Sequence, residues 1–387
     1  MSTNTPLTIA FDARFFNEAG PGRYVKNLLS HLEQLDTLNT YYVLLKANSY
    51  DDYKPTKPNF IKVKADYTWY SFKEQTFFLL KLITLKPDIL YVPHFNIPIF
   101  YPKVLITAIP DIIMHTFSTE KGTTLPKSYF KFKKLVYKLV TKWAVFRSSY
   151  ILVPSHATEH DITTVFGPQV AKKVILAPEG IDPDINTLNT CKDYMSLLTK
   201  LKITQTYILY VGSMYEHKNL LRLIDAYEIA SKQGLNHVLV LAGKADKFSK
   251  RIADYVADKH LTSKILIPGQ QGRLTDQEMN TLRQHCEYYV FPSLKEGFSL
   301  TPLECMVFDK PCVLSAIPCH KEIYGDSVIY FNPFEINDIV EKMLKLDIDT
   351  DLKVALITKG KELLKHYSWH QTAQLTLATF NKFLKNS

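Results

Sequence analysis

Two carboxylates separated by seven residues, Glu296 and Glu304, bracket a stretch that combines charge, a loop glycine and a helix start. It reads Lys295-Glu296-Gly297-Phe298-Ser299-Leu300-Thr301-Pro302-Leu303-Glu304. The apolar run Tyr288 to Phe291 before it has the make-up of a buried strand. Pro292 and Ser293 end that strand. Ser299 or Thr301 with Pro302 then opens a helix predicted to reach about Asp309, since proline fits the first helical turn. Pro311 to Ser315 begins another strand. The loop thus lies at the carboxyl end of a strand, where open α/β sheets bind ligands. Amides of Phe298, Ser299 and Leu300 at a helix N-terminus favour an anion. A carboxylate on each side suits a ligand with hydroxyls flanking phosphate, and a nucleoside diphosphate sugar is such a ligand.

The stretch Phe291 to Phe298, followed by Pro302-Leu303-Glu304-Cys305-Met306, resembles the signature of family-four retaining glycosyltransferases. The resemblance covers nearly the whole chain and is most specific in its second half. It points to the mannosyltransferase-like group among bacterial surface-polysaccharide enzymes. It implies an α/β protein of the GT-B fold, with two Rossmann-like domains facing across a cleft. On that pattern residues 1–182 form the acceptor-side domain, with a last helix, 369–387, packing back on it. Residues 183–200 read as a polar linker, and 201–368 bind the donor. The resemblance also implies roles: Glu296 contacts the donor sugar, Glu304 the ribose, and Lys218 the diphosphate. Gly297, Gly212, Ser213 and Gly243 would line the donor, largely by backbone. In the first domain it points to Arg14, Asp111 and a glycine-rich loop, Gly20 to Gly22, that approaches the phosphates. The chain departs from the pattern at two places. Pro110 stands where a histidine usually precedes the aspartate, with His94 and His115 as spatial substitutes. His217 replaces an arginine before Lys218.

The elements that must position these groups follow from composition and pattern. A chain of 387 residues with 46% hydrophobic and 22% charged content fits two folded, soluble domains. The net charge of +9 favours anionic partners. No apolar run has bilayer-spanning length, and the N-terminus lacks a signal pattern. Five cysteines without CxxC spacing are expected to be reduced thiols, so a cytoplasmic location is expected. Strands are predicted at Leu7 to Phe11, Tyr41 to Leu45, Ile61 to Val63, Ile89 to Val92, Val104 to Ile109 and Tyr150 to Val153. Others follow at Val174 to Ala177, Tyr207 to Val211, Val238 to Ala242 and Ile265 to Ile267. A helix is predicted over Tyr67 to Leu85, and Ser368 to Gln371 reads as a capping box for the last helix.

From Lys127 to Arg147 the chain carries seven basic residues and no acid. Lys127, Lys131, Lys134, Lys138 and Lys142 share one helical face, and Phe132, Leu135, Val136, Leu139, Trp143 and Phe146 occupy the other. Two readings stand open: attachment to an anionic membrane surface, or a core-packed helix with solvated lysines. Asp182-Pro183-Asp184 and Asp347-Ile348-Asp349 spell the acidic triplet of metal-using transferases. Neither follows a buried strand, so both read as solvated loop acids.

The expected function is transfer of a hexose, with retention, from a nucleoside diphosphate sugar to a hydroxyl acceptor in lipopolysaccharide or other surface-glycan synthesis. GDP-mannose is the first donor expected and UDP-hexoses the next. The acceptor is a glycan or lipid-linked intermediate, and no metal or other cofactor is expected. The alternative is a non-catalytic sugar-nucleotide-binding or scaffold protein. Nucleic acid is not an expected partner, because aromatic stacking platforms and known motifs are lacking.

Overall fold

Each half of the chain alternates short apolar strands with helices, and each builds one parallel sheet buried on both faces. In the computed structural model the described residues are 5–117 and 127–386. They divide into a first unit, residues 5–116, 127–182 and 368–386, and a second, residues 117 and 183–367.

The first unit contains β1 (Thr8–Asp12), β2 (Thr40–Leu45), β3 (Phe60–Lys64), β4 (Ile89–Val92), β5 (Val104–Ala108), β6 (Tyr150–Val153) and β7 (Val174–Leu176). Their order is β3-β2-β1-β4-β5-β6-β7. The chain runs outward from β1 to β3 and returns beside β1 as β4. That reversal makes the carboxyl ends of β1 and β4 a topological switch point. The helices are α1 (Ala19–Leu35), α2 (Leu79–Leu85), α3 (Ile113–Thr116), α4 (Lys127–Arg147) and α5 (His156–Phe166). Alternation along β1 sorts the two faces. Ile9 and Phe11 pack with Leu28 and Leu32 of α1, while Ala10 packs with Leu82 of α2 and Ala144 of α4.

The second unit contains α6 (Tyr194–Lys200), β8 (Tyr207–Val211), α7 (Leu220–Lys232), β9 (Val238–Ala242), α8 (Lys247–Asp258) and β10 (Ile265–Leu266). It continues through α9 (Asp276–His285), β11 (Tyr289–Phe291), α10 (Leu300–Met306), β12 (Cys312–Ser315), α11 (Pro318–Tyr324) and β13 (Ile329–Phe331). Helices α12 (Ile336–Ile348) and α13 (Thr350–Leu364) complete it. The strand order β10-β9-β8-β11-β12-β13 puts this unit's switch point between β8 and β11. Helix α14 (Trp369–Asn386) belongs to the first unit, where Ala373 and Phe380 enter the core and Tyr24 meets Trp369 edge-on.

Several expectations need correction. Gly20 and Gly22 are not in a loop but in the first turn of α1. A Cβ at Gly22 would sit 2.6 Å from the Phe16 carbonyl oxygen, so close backbone packing accounts for that glycine. The helix predicted from Tyr67 begins at 72, because Tyr67 to Ser71 pass through a turn. Its middle, Glu74–Phe78, is a π-helical segment. Helix α10 stops at Met306 rather than Asp309, whose φ of 58° is left-handed. The stretch 183–200 is not a free linker: Asp193 caps α6 by accepting from the Ser196 amide, and Leu197 is buried. Only one half of the capping box is present at α14, the Gln371 amide donating to Ser368 Oγ at 3.2 Å.

The acidic triplets are not simply solvated. Asp182 accepts from Asn27 Nδ2 at 3.3 Å, Asp347 pairs with His237 at 2.7 Å, and Asp349 caps α13. In α4 the large apolar side chains Phe132, Leu135, Leu139, Trp143 and Phe146 face solvent, while Val140, Thr141, Ala144 and Val145 pack inward. The Lys127 side chain lies outside the described residues. All five cysteines are free thiols.

Candidate functional site

The second unit's switch point brings together residues far apart in sequence. After β8 the chain turns through Gly212 to Tyr215, makes one short turn over Glu216 to Lys218, and enters α7 through Asn219. Asn219 has φ 60°, a conformation asparagine tolerates better than most side chains. Its side-chain amide donates to the Pro333 carbonyl at 2.8 Å and fixes that entry. After β11 the chain turns through Ser293 to Ser299 into α10. The Leu294 amide donates to the His217 carbonyl at 2.7 Å, tying the two turns together.

Across that tie Lys218 Nζ donates to Glu296 Oε1 at 2.6 Å. The pair is mostly enclosed, with side-chain exposures of 13% and 8%. Lys218 also lies 5.0 Å over the Phe291 ring. Burial alone would push the Glu296 carboxyl up. The charge of Lys218 and its hydrogen bond outweigh it and hold the group below the ordinary carboxylate range. Burial, then the charge of Lys218, brings His217 down to about 4, so it is neutral at pH 7. It therefore does not replace an arginine's positive charge.

The start of α10 is held from behind by α11. The Tyr324 hydroxyl donates to the Ser299 carbonyl, and Cys319 Sγ lies 3.5 Å from the Phe298 carbonyl. His320 Nε2 lies 3.1 Å from Ser299 Oγ, and its Nδ1 lies 2.9 Å from the Ser315 carbonyl. A carbonyl partner at Nδ1 selects the tautomer with the proton there, leaving Nε2 to accept from the serine. Burial brings His320 down to about 4 and keeps it neutral. Ser299 itself has φ 72° and makes no side-chain cap to the helix. Its hydroxyl is spent on His320, and the amides of the first turn have no partner within the helix. The Tyr289 hydroxyl, 2.9 Å from Thr301 Oγ1 and 3.0 Å from the Val211 carbonyl, ties this turn to the end of β8.

Glu304 is deeper. It is 1% exposed and its carboxylate pairs with Arg283 of α9. Arg283 also donates to Asn280 Oδ1 at 2.9 Å, and Asn280 holds the carbonyls of Asp184 and Asn189. The strand-end glycines form a separate stack. A Cβ at Gly243 would lie 2.3 Å from the Gly212 oxygen, and one at Gly269 would lie 1.9 Å from the Gly243 oxygen. The three turns after β8, β9 and β10 therefore touch backbone to backbone. The Ser213 carbonyl accepts from the Tyr210 hydroxyl at 2.6 Å.

The first unit's switch point is closed on itself. Arg14 is buried between Asp12 at 2.7 Å and Glu74 at 2.8 Å, with its guanidinium 4.0 Å over the Phe78 ring. Arg14 thus forms a buried ion pair with both carboxylates. Asp111 accepts from the Ile113 amide at 2.9 Å and starts α3. His94 stacks on Phe15 at 4.6 Å and burial brings it to about 4; His115 lies 3.0 Å from the Tyr137 hydroxyl.

Lys218, Glu296 and Glu304 are legible in the sequence, whereas Arg283, His320, Tyr289 and Tyr324 emerge only in the fold. The polar buried face Asn280, Thr281 and Arg283 was the available signal for Arg283.

Comparison with known proteins agrees with this architecture. Residues 199–363 match the family model for glycosyl transferases group 1. The serotype-specific mannosyltransferase WbdA of Escherichia coli is 31% identical over 194 residues, covering 50% of this chain and 24% of that protein. The O-antigen chain mannosyltransferase RfbU of Salmonella typhimurium is 24% identical over 208 residues, covering 54% and 53%. The match thus spans about a quarter of the first relative and about half of the second. Sucrose-phosphate synthase from Thermosynechococcus elongatus superposes with a TM-score of 0.77 over 98% of this chain and 100% of that one, at 15% identity.

Proposed function

We propose that this chain, which has the GT-B fold and whose residues 199–363 match the glycosyl transferases group 1 model, transfers a hexose from a nucleoside diphosphate sugar. The Lys218–Glu296 pair at the β8/β11 switch point carries this reading, because it sets a cation and a carboxylate side by side where a doubly wound sheet binds its ligand.

Lys218 and the first-turn amides of α10 take the diphosphate. Their charge stabilises the leaving group as the bond from the anomeric carbon to the phosphate oxygen breaks. Glu296 orients sugar hydroxyls, and Glu304, held by Arg283, faces the ribose. Gly212, Ser213, Gly243, Gly297 and the backbone of Phe298 complete the donor contacts. The acceptor oxygen bonds to the same face of the anomeric carbon, with retention, and its proton passes to the departing phosphate. Lys218 and the amides do the electrostatic work a metal would do, so no metal is required.

GDP-mannose is the first donor proposed, supported by the mannosyltransferase relatives, and UDP-hexoses are second. The acceptor is a glycan or lipid-linked intermediate of surface-polysaccharide synthesis, used on the cytoplasmic side. A panel of sugar nucleotides, read by thermal shift and by nucleoside diphosphate release, tests the reading. Stabilisation and turnover with a single mannosyl or hexosyl donor support it. Stabilisation without turnover on any glycan acceptor points to a binding protein instead.

A further inference from the structure

Helix α4 is amphipathic in an inverted sense: its small residues face the core and its large ones face outward. Phe132, Leu135, Leu139, Trp143 and Phe146 recur at three- and four-residue steps and so form one exposed stripe. The helical segment 72–85 behaves alike. Phe78 and Leu82 are buried, while Phe77, Leu80 and Ile83 face solvent and Phe72 is 80% exposed.

The two stripes are neighbours. The Ile99 amide donates to Gln75 Oε1 at 2.8 Å, and the Ile99 carbonyl accepts from Trp143 Nε1 at 2.8 Å. One residue therefore joins both helices, and the next, Phe100, is 73% exposed beside that joint. Beneath the surface Phe78, Leu82 and Ala144 share one core cluster. A folded chain seldom leaves so much contiguous apolar surface uncovered without a partner.

Charge identifies the partner. Between 127 and 147 there are seven basic residues and no acid. The other segment adds Lys73 and Lys81, with Lys86 directly after it, and its lone acid, Glu74, is buried against Arg14. Cations beside aromatic and aliphatic side chains match a surface of acidic headgroups over acyl chains. A second copy of the same face would oppose lysine to lysine, and a nucleic acid would leave the aliphatic stripes unburied.

We propose that α4, segment 72–85 and Phe100 form one docking face for an anionic lipid bilayer, with Phe100 and the two stripes entering the boundary between headgroups and acyl chains. This rests on the first unit's surface alone and is independent of the donor reading. The test is flotation of the full chain with vesicles of phosphatidylglycerol and phosphatidylcholine, against phosphatidylcholine alone.

Binding is expected on the anionic vesicles, at least tenfold weaker on the neutral ones, and weakened by salt. The paired substitution Phe100→Ser with Leu139→Ser should reduce it at least tenfold while thermal unfolding stays unchanged. Leu80→Ser with Ile83→Ser should do the same from the other helix. Trp143 is 48% exposed, so its emission should shift to the blue on anionic vesicles and Trp143→Phe should abolish the shift. Absence of binding to anionic vesicles at low salt overturns the proposal. So does binding that both paired variants leave intact, or a dimer that those variants dissolve.

Discussion

Lys218 and Glu296 are 78 positions apart in sequence, and their charged atoms meet at 2.6 Å. Neighbouring strands make this possible: β8 delivers one turn and β11 the other, and the Leu294–His217 backbone bond locks them together. The cation proposed to receive the diphosphate is therefore held in place by the carboxylate proposed to receive the sugar.

That coupling has a stability consequence. Lys218→Ala leaves Glu296 buried without its main partner, and breaking such a pair costs about 3–5 kcal/mol. Urea unfolding at pH 7 should show a loss of that order. Lys218→Ala combined with Glu296→Gln should recover most of it, because no buried charge is then left alone.

Arg283 and Glu304 form a second buried pair. Arg283→Met should destabilise by a similar amount, about 3–5 kcal/mol. If Glu304 faces the ribose only through Arg283, the same variant should also weaken nucleoside diphosphate more than inorganic pyrophosphate. Titration calorimetry with both ligands distinguishes this from a purely structural role, in which the two would weaken alike.

The buried histidines give stability a defined pH dependence. His320 is neutral when folded because burial brings it to about 4, whereas the unfolded chain binds its proton near 6.5. Between those values the unfolded state holds more protons, so stability is full above about 6.5 and falls as pH drops toward 4. The lowered Glu296 adds loss in the same direction at the acid end. His320→Gln keeps a donor and an acceptor but no titration, and should flatten the slope between pH 6.5 and 4 in denaturant unfolding.

Positive charge at the leaving diphosphate is assigned to Lys218 and the α10 amides. The acidic triplets have other work: Asp182 accepts from Asn27, Asp347 pairs with His237, and Asp349 caps α13. Turnover should persist in excess EDTA. Loss that manganese restores would contradict this part of the mechanism.

Much of the fold was legible because strands buried in a parallel sheet are unbroken apolar runs. Ile89–Val92 and Tyr150–Val153 could be read with their ends, and Tyr207–Val211 and Val238–Ala242 by their starts. Sheet order is not a local property, so nothing in the sequence placed Lys218 against Glu296. Periodicity likewise located the stripe on α4 but not the direction it faces. The small residues Thr141 and Ala144, which allow the helix to approach the core closely, were the signal that decided it. The glycines of α1 read as a loop because their spacing resembles one, whereas Gly22 is required by contact with the Phe16 carbonyl. Arg283 was hidden because charged residues in helices are usually solvated.

The most direct test of the site separates its two ends. Calorimetry with the bare nucleoside diphosphate is run on wild type, Lys218→Ala and Glu296→Gln, beside kinetics with the full donor. Lys218→Ala should weaken the diphosphate about ten- to a hundredfold, the loss of one charge-assisted contact of about 1.5–3 kcal/mol. Glu296→Gln should leave that affinity within about twofold while turnover collapses, since orienting the sugar matters most in the transition state. If Glu296→Gln weakened the bare diphosphate as much as Lys218→Ala, the assignment of cation to diphosphate and carboxylate to sugar would be contradicted.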